Sequence, residues 1–368
     1  MQVAIIGLPQ SGKSAVFQAL TRGAAHGGRA PGAPGAPGGL HVGVTRVPDA
    51  RLEALADIFH PEKVTPAEVT YWDIPAAPTL EKGQGIAGQY LNVLQRADAL
   101  LLVVRAFSDP SVPHLAGSVD PHRDAAAMQE ELAFADLLLL ERLVERREAT
   151  LKGAKPHERE AVGRELALLR RLKEGLEAGV PVREQETTEE ERKLLAGYQL
   201  LTGKPLLVVF NVGEEQLEAL ASLRGELERR YRRPGMAALA LCGKLEAELG
   251  QLAPEEEQEF RQSLGLEESG AQRAIRATYE LLGLISFFTG GPRDVHAWTV
   301  PRGTPAVKAA GRVHSDMERG FIRAEVVAFE DLMRCGSLAE ARRQGVLRTE
   351  GKGYVVQDGD VVTFLFSV

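Results

Sequence analysis

The chain has 368 residues, 44% hydrophobic and 26% charged, with a formal net charge of −7. That length accommodates two or three domains with an ample core, and the charge argues against a domain devoted to nonspecific nucleic-acid binding, DNA included. Cys242 and Cys335 form neither a metal-ligand spacing nor a disulfide framework, so a reducing compartment is expected. No apolar run approaches the ~20 residues of a membrane span, and the first one ends at Gly7 without a basic leader. The expected location is therefore cytoplasmic, with no membrane partner.

Val3-Ala4-Ile5-Ile6 reads as a short buried strand, and Ser14 to Leu20 carries no helix breaker. Between them, Gly7-Leu8-Pro9-Gln10-Ser11-Gly12-Lys13-Ser14 fits G-x-x-x-x-G-K-[ST]. The glycines let successive backbone N–H groups face a phosphate chain, and the helix start adds its own N–H groups and positive dipole end. Lys13 reaches the β- and γ-phosphates, while the Ser14 hydroxyl ligates Mg²⁺. Pro9, Gln10, Ser11, Gly12, Lys13, Ser14 and Ala15 are the candidate phosphate-side residues, with ATP/ADP or GTP/GDP as ligand.

Residues 26–39 are low-complexity Gly/Pro/Ala sequence with little to pack. Strand-like runs follow at Val42-Val47, Val69-Trp72, Ala99-Val104, Leu206-Phe210 and Met236-Leu241. Helical patterns separate several of them, which predicts an α/β sheet with nucleotide at the carboxyl ends of its strands. Asp73 ends one strand and is placed to hold a water on Mg²⁺. Met128, Leu132, Ala135, Leu139 and Leu143, then Leu166, Leu169, Leu172 and Leu176, recur at helical spacing around a break near Gly153 to Pro156. They predict an antiparallel helical hairpin over 128–198. Asn211-Val212-Gly213-Glu214 follows another strand, where Asn211 can brace the phosphate loop and approach a purine. Guanine readers usually place N-K-x-D there. Val212 in place of lysine and Glu214 in place of aspartate weaken guanine geometry and leave adenine open. From Leu284 onward, short strand-like runs and turns predict a small α+β domain. It carries Arg293, Arg302, Lys308, Arg312, Arg319 and Arg323, with Trp298 or Phe321 available to stack on a base.

These motifs together resemble the YchF/Obg-like ATPase family, a branch of the translation-factor-related P-loop GTPases. The resemblance covers nearly the whole chain. It rests on Gly7 to Ser14, Asn211 to Glu214, Cys242-Gly243-Lys244-Leu245-Glu246-Ala247-Glu248-Leu249, and C-terminal runs such as Val295 to Val300 and Ala310 to Asp316. It implies a P-loop nucleotide domain over 1–127 and 199–283, the hairpin insertion, and a ubiquitin-like TGS domain over 284–368. It also implies ATP bound at least as well as GTP, a base site that includes Cys242 and Gly243, association with the ribosome or rRNA, and His114 as a candidate for positioning the attacking water. Two positions depart from the family's switch motifs, Pro37 where a threonine is expected and Ala76 where a glycine is; the glutamine that positions water in many GTPases is aliphatic in the family and is Ala77 here. The leading expectation is a slow Mg²⁺-dependent nucleoside triphosphatase acting as a ribosome-associated switch. The second is a nucleotide-binding scaffold with negligible hydrolysis, which Pro37 and Ala76 favour. A P-loop small-molecule kinase is disfavoured by Asn211 to Glu214 and by the C-terminal domain.

Overall fold

The computed structural model describes residues 1–23, 25–26, 40–74, 86, 88–114 and 116–367. In chain order its elements begin β1 (Gln2–Ile6), α1 (Lys13–Thr21), β2 (Ala25–His26), β3 (His41–Arg46), α2 (Ala50–Phe59), β4 (Lys63–Thr65), β5 (Glu68–Asp73), α3 (Gln89–Arg96) and β6 (Ala99–Arg105). Next come α4 (Pro121–Gly153), α5 (Pro156–Glu177), α6 (Glu189–Leu195), β7 (Leu206–Asn211), α7 (Leu220–Tyr231), β8 (Met236–Leu241), α8 (Gly243–Leu249), α9 (Pro254–Ser263) and α10 (Gly270–Leu281). The chain closes with β9 (Leu284–Gly290), β10 (Asp294–Pro301), α11 (Ala306–Val313), α12 (Ser315–Arg319), β11 (Phe321–Ala328), α13 (Phe329–Cys335), α14 (Leu338–Arg343), β12 (Arg348–Glu350) and β13 (Asp360–Phe366).

Two compact units emerge, one of residues 1–44 and 70–274, the other of 45–69 and 275–368. Among the described residues, the first holds a sheet in the order β2-β3-β5-β1-β6-β7-β8, in which β5, β1, β6, β7 and β8 run parallel. Its central strands are apolar at almost every position because helices cover both faces. β6 (ALLLVVR) and β7 (LLVVFN) are buried throughout. All carboxyl ends of the parallel strands open on one edge, where a ligand meets the loops that follow them.

The hairpin is present, but its first helix starts before the expected boundary. Asp120 caps α4 by accepting from the Arg123 N–H, and Pro121 supplies a first-turn residue with no N–H to satisfy. Met128, Leu132 and Ala135 then pack on the sheet, so this stretch belongs to the nucleotide unit's core. Leu140 meets Leu168, Leu169, Leu172 and Leu176 of α5 in a separate cluster, which is the hairpin proper. Arg147–Glu165, Arg170–Glu148 and Lys173–Glu141 pairs cross between the two helices.

In the second unit, the sheet order among the described residues is β12-β11-β13-β9-β10-β4. Ala306, Ala309 and Ala310 of α11 pack against Phe287, Val300, Phe321 and Phe364 on one face. Phe321 is thus core and is not available to stack on RNA. Trp298 donates to Thr289 Oγ1 at 2.9 Å, and its ring is covered by His296 at 3.7 Å between centroids. Residues 45–69, which the sequence alone places with the nucleotide domain, pack here instead. β4 pairs in parallel with β10. Arg51 of α2 bonds Asp49 and Asp358 and sits 5.1 Å over the Phe288 ring.

One buried network fixes α8 within the first unit. The Glu246 carboxylate accepts from Arg261 at 2.8 and 3.0 Å, from Ser269 Oγ at 2.9 Å and from the Gly270 N–H at 2.8 Å. Burial would raise the Glu246 carboxyl, but Arg261, the Gly270 N–H and Ser269 hold it below its ordinary value. Glu246→Ala leaves buried Arg261 with Glu257, 3.0 Å from its Nε, as its remaining carboxylate, and should cost about 2–3 kcal/mol. In wild type this contribution is present above the ordinary glutamate value of about 4.3 and is lost as the pH falls through the lower folded value. Thermal melts of wild type and variant across acidic pH check both points: the gap between them should narrow toward low pH.

Candidate nucleotide site

The phosphate loop leaves the end of β1 and enters α1 through Gly12, whose φ of 85° lies in the left-handed region. A Cβ at Gly12 would lie 2.1 Å from Asn211 Nδ2, so glycine is required by both conformation and space. No side chain caps α1, which leaves its first N–H groups directed at a ligand. Pro9 is half-buried, and Gln10 is exposed in a left-handed conformation at φ 63°. Ser11 is buried, and its N–H donates to Leu8 O at 3.3 Å. Ala15 lies in the first turn of α1.

Lys13 is buried and folds its Nζ back onto the carbonyl oxygens of Gly7 at 3.0 Å and Leu8 at 3.2 Å. Burial pushes its ammonium below the ordinary lysine value, and the charge of Asp73 opposes that shift. Ser14 Oγ lies 3.2 Å from Asp73 Oδ2, across from the end of β5. Asp73 Oδ1 is buried without a hydrogen-bond partner among the described residues. A hydroxyl and a buried, incompletely satisfied carboxylate beside a phosphate loop fit a divalent cation.

Asn211, at the end of β7, joins both sides of the site. Its Nδ2 donates to Ser11 O at 3.0 Å, and its Oδ1 accepts from the Gly243 N–H at 2.9 Å. Val212 is buried, and its N–H donates to Leu241 O. Burial raises the Cys242 thiol at the N-cap of α8. Glu214 is half-exposed and paired with Lys244 Nζ at 2.9 Å.

A family model described as a 50S ribosome-binding GTPase matches residues 2–140. The YchF GTPase C-terminal model, described as a protein of unknown function, matches residues 284–367. The Bacillus subtilis protein named ribosome-binding ATPase YchF is 41% identical over 367 residues, spanning 99% of this chain and 98% of its own length. The chain belongs to the YchF family. The Escherichia coli O157:H7 YchF is 37% identical over 365 residues, again across 99% of this chain and 98% of its own. The solved structure of the Schizosaccharomyces pombe YchF GTPase superposes with a TM-score of 0.85 at 29% identity, covering 99% of this chain and 97% of that one.

In this YchF-family chain, Ser14 meets Asp73, Asn211 meets Ser11 and Gly243 and packs against Gly12, and Lys13 rests on the carbonyls of Gly7 and Leu8. His114 has other partners. Its Nδ1 accepts from the Ala116 N–H at 3.1 Å, so Nε2 carries the proton and donates to Asp124 Oδ2 at 2.7 Å. Arg123 holds the other Asp124 oxygen at 2.9 Å. Pro37, Ala76 and Ala77 lie outside the described residues. Among the described residues, no helix is long and apolar enough to cross a membrane.

Sequence reasoning missed Phe107. Its Cε1 would stand 3.7 Å from a Cβ on Gly12, beside the phosphate loop. Arg105 holds it there with a guanidinium 4.7 Å over the ring and hydrogen bonds to the Phe107 and Val112 carbonyls. The available signal is an arginine ending an otherwise apolar strand, since such a charge must find partners in the loop that follows.

Gly12→Ala should reduce ATP affinity by on the order of 100-fold or more, because the displaced Asn211 and loop lose the phosphate geometry. Calorimetry with ATP measures this, and unchanged far-UV circular dichroism shows that the fold persists.

Proposed function

We propose that this protein is a slow, Mg²⁺-dependent nucleoside triphosphatase that binds ATP at least as well as GTP and acts as a switch on the ribosome. The convergence of Lys13, Ser14 and Asp73 at the start of α1 carries the nucleotide reading. Lys13 is held by two carbonyl oxygens that a phosphate can replace as partners. Ser14 and Asp73 would hold the metal, Asp73 through a water. Bound there, Mg²⁺ supplies positive charge against the β- and γ-phosphate oxygens. Partnership with the ribosome is drawn from relatives named ribosome-binding ATPases. Cytoplasmic location follows from that partner.

Base preference follows from the Glu214–Lys244 pair. A guanine reader needs a free carboxylate to accept from N1 and N2 of the base. Here one oxygen of Glu214, a methylene longer than the usual aspartate, is shared with Lys244 in an exposed pair, and Val212 offers no lysine stem to cover the ring. Discrimination between adenine and guanine should therefore be weak and lean toward adenine.

Slow turnover follows from what the chain supplies for hydrolysis. Pro37 offers neither hydroxyl nor N–H. His114, the candidate for positioning water, has both ring nitrogens engaged. It must release Asp124 before it can act on a water.

The C-terminal unit is the proposed ribosome-facing surface. Lys308 and Arg319 are paired with Glu318 and Asp316, so they offer less to phosphates than the exposed Arg312 and Arg323. Deleting residues 284–368 would strip β4 and α2 of their sheet, so charge reversal at Arg312 and Arg323 is the cleaner variant. It should weaken salt-sensitive co-sedimentation with ribosomes while sparing ATP affinity.

Single-turnover phosphate release with excess protein, with and without ribosomes, tests the enzyme reading. Slow release that ribosomes change supports it, and no release in either condition favours the scaffold. Calorimetry tests the base. Glu214→Asp should move preference toward GTP, and wild-type affinity for GTP ~100-fold above ATP, roughly 2.7 kcal/mol, contradicts the proposal.

A further inference from the structure

We propose that His41 is a ligand of the divalent cation that accompanies the nucleotide, and that its imidazole raises the site's affinity for first-row transition metals such as Mn²⁺ relative to Mg²⁺. The inference deepens the nucleotide reading above and rests on it.

His41 is the first residue of β3, and its Nδ1 lies 3.6 Å from Asp73 Oδ2. That same oxygen is 3.2 Å from Ser14 Oγ. The other oxygen, Asp73 Oδ1, is buried and without a partner among the described residues. The carboxylate as a whole is 5% exposed. An imidazole, a hydroxyl and a buried carboxylate with free acceptor capacity thus meet beside the first turn of α1.

Local packing sets the position of the ring. Two residues after His41, β3 presses on α1 at Gly43, where a Cβ would lie 2.3 Å from Thr21 Cγ2 and 3.1 Å from Phe17 Cζ. The His41 ring centroid is then 6.5 Å from that of Phe17. The ring is 56% exposed, so a cation can reach it without rearrangement of the core.

A surface ion pair is the plainer reading of His41 and Asp73. At 3.6 Å with a half-exposed ring, such a pair contributes little. It also leaves Asp73 Oδ1 unsatisfied, whereas a water on a cation held by the imidazole can donate to it. Mg²⁺ favours oxygen ligands and retained waters. An imidazole nitrogen in the set moves preference toward transition metals, whose affinity for nitrogen rises along the first row.

Pulsed electron paramagnetic resonance of the Mn²⁺·ADP complex tests the assignment. Wild type should show modulation from a directly coordinated imidazole nitrogen, and His41→Asn should lose it. The ratio of Mn²⁺ to Mg²⁺ affinity in the presence of ADP should fall by about tenfold in the variant. Wild-type Mn²⁺·ADP without nitrogen modulation, or an unchanged affinity ratio in His41→Asn, overturns the assignment. ADP binding measured by calorimetry with EDTA separates the two claims. If wild type binds no ADP, the nucleotide reading fails and this one with it. If ADP binds but the nitrogen signal is missing, only the His41 assignment fails.

Discussion

The amide of Asn211 is the contact on which the rest of the site depends. One side chain, 4% exposed at the end of β7, donates to the phosphate loop at Ser11 and accepts from the start of α8 at Gly243. Neither backbone group can be left unpaired in that setting without a penalty comparable to a lost hydrogen bond. The approach is close enough that Gly12 can carry no side chain. The phosphate loop and the start of α8 are therefore positioned by one group rather than by two independent ones. Around it, the parallel strands supply rigidity, since their buried apolar positions leave little room to shift.

A second layer of constraint holds the loops that Asn211 joins. Glu246, clasped by Arg261, Ser269 and Gly270, fixes α8 and hence the Gly243 N–H. On the opposite flank, Arg105 gathers the loop after β6, and Asp124 pins His114 to the start of α4. Glu246 and Asp124 are buried and satisfied by backbone or by an opposite charge, and Arg105 is held by carbonyls at Nε and one terminal nitrogen, an arrangement that fixes geometry even where its net contribution to stability is small. The side of the site around Ser14 and Asp73 is the less fixed one. Ser14, Asp73 and His41 stand close together with Asp73 Oδ1 unsatisfied, and His114 is engaged elsewhere.

Much of this could be read from the sequence, and for identifiable reasons. The strands were legible because parallel strands covered on both faces become continuous apolar runs, as β6 and β7 show. The hairpin's break was legible because Gly153 ends one helix and Pro156 starts the next. The start of α4 was not, since Met128 and Leu132 have the same spacing whether they pack on a sheet or on α5. The placement of residues 45–69 was hidden for another reason. β4 is a three-residue strand, and its partner β10 lies more than two hundred positions away. Trp298 and Phe321 can be read from sequence as RNA contacts or as core, because an aromatic residue in a short strand reads the same whether it faces solvent or core. His41 gave no signal, because its meaning depends on Asp73 across the sheet and not on its neighbours in sequence.

The family and the fold tie this chain to proteins named as ribosome-binding ATPases, but the physical account rests on one bridge between two loops. If Asn211 chiefly holds the phosphate loop in shape, its loss must weaken ligands that have no base at all. Affinities of wild type and Asn211→Ala for ATP and for inorganic tripolyphosphate, measured side by side by calorimetry, test that directly. The account predicts that both fall by a similar factor, on the order of tenfold or more. An Asn211→Ala protein that binds tripolyphosphate as wild type does and loses only ATP would show that Asn211 reads the base and does not hold the loop.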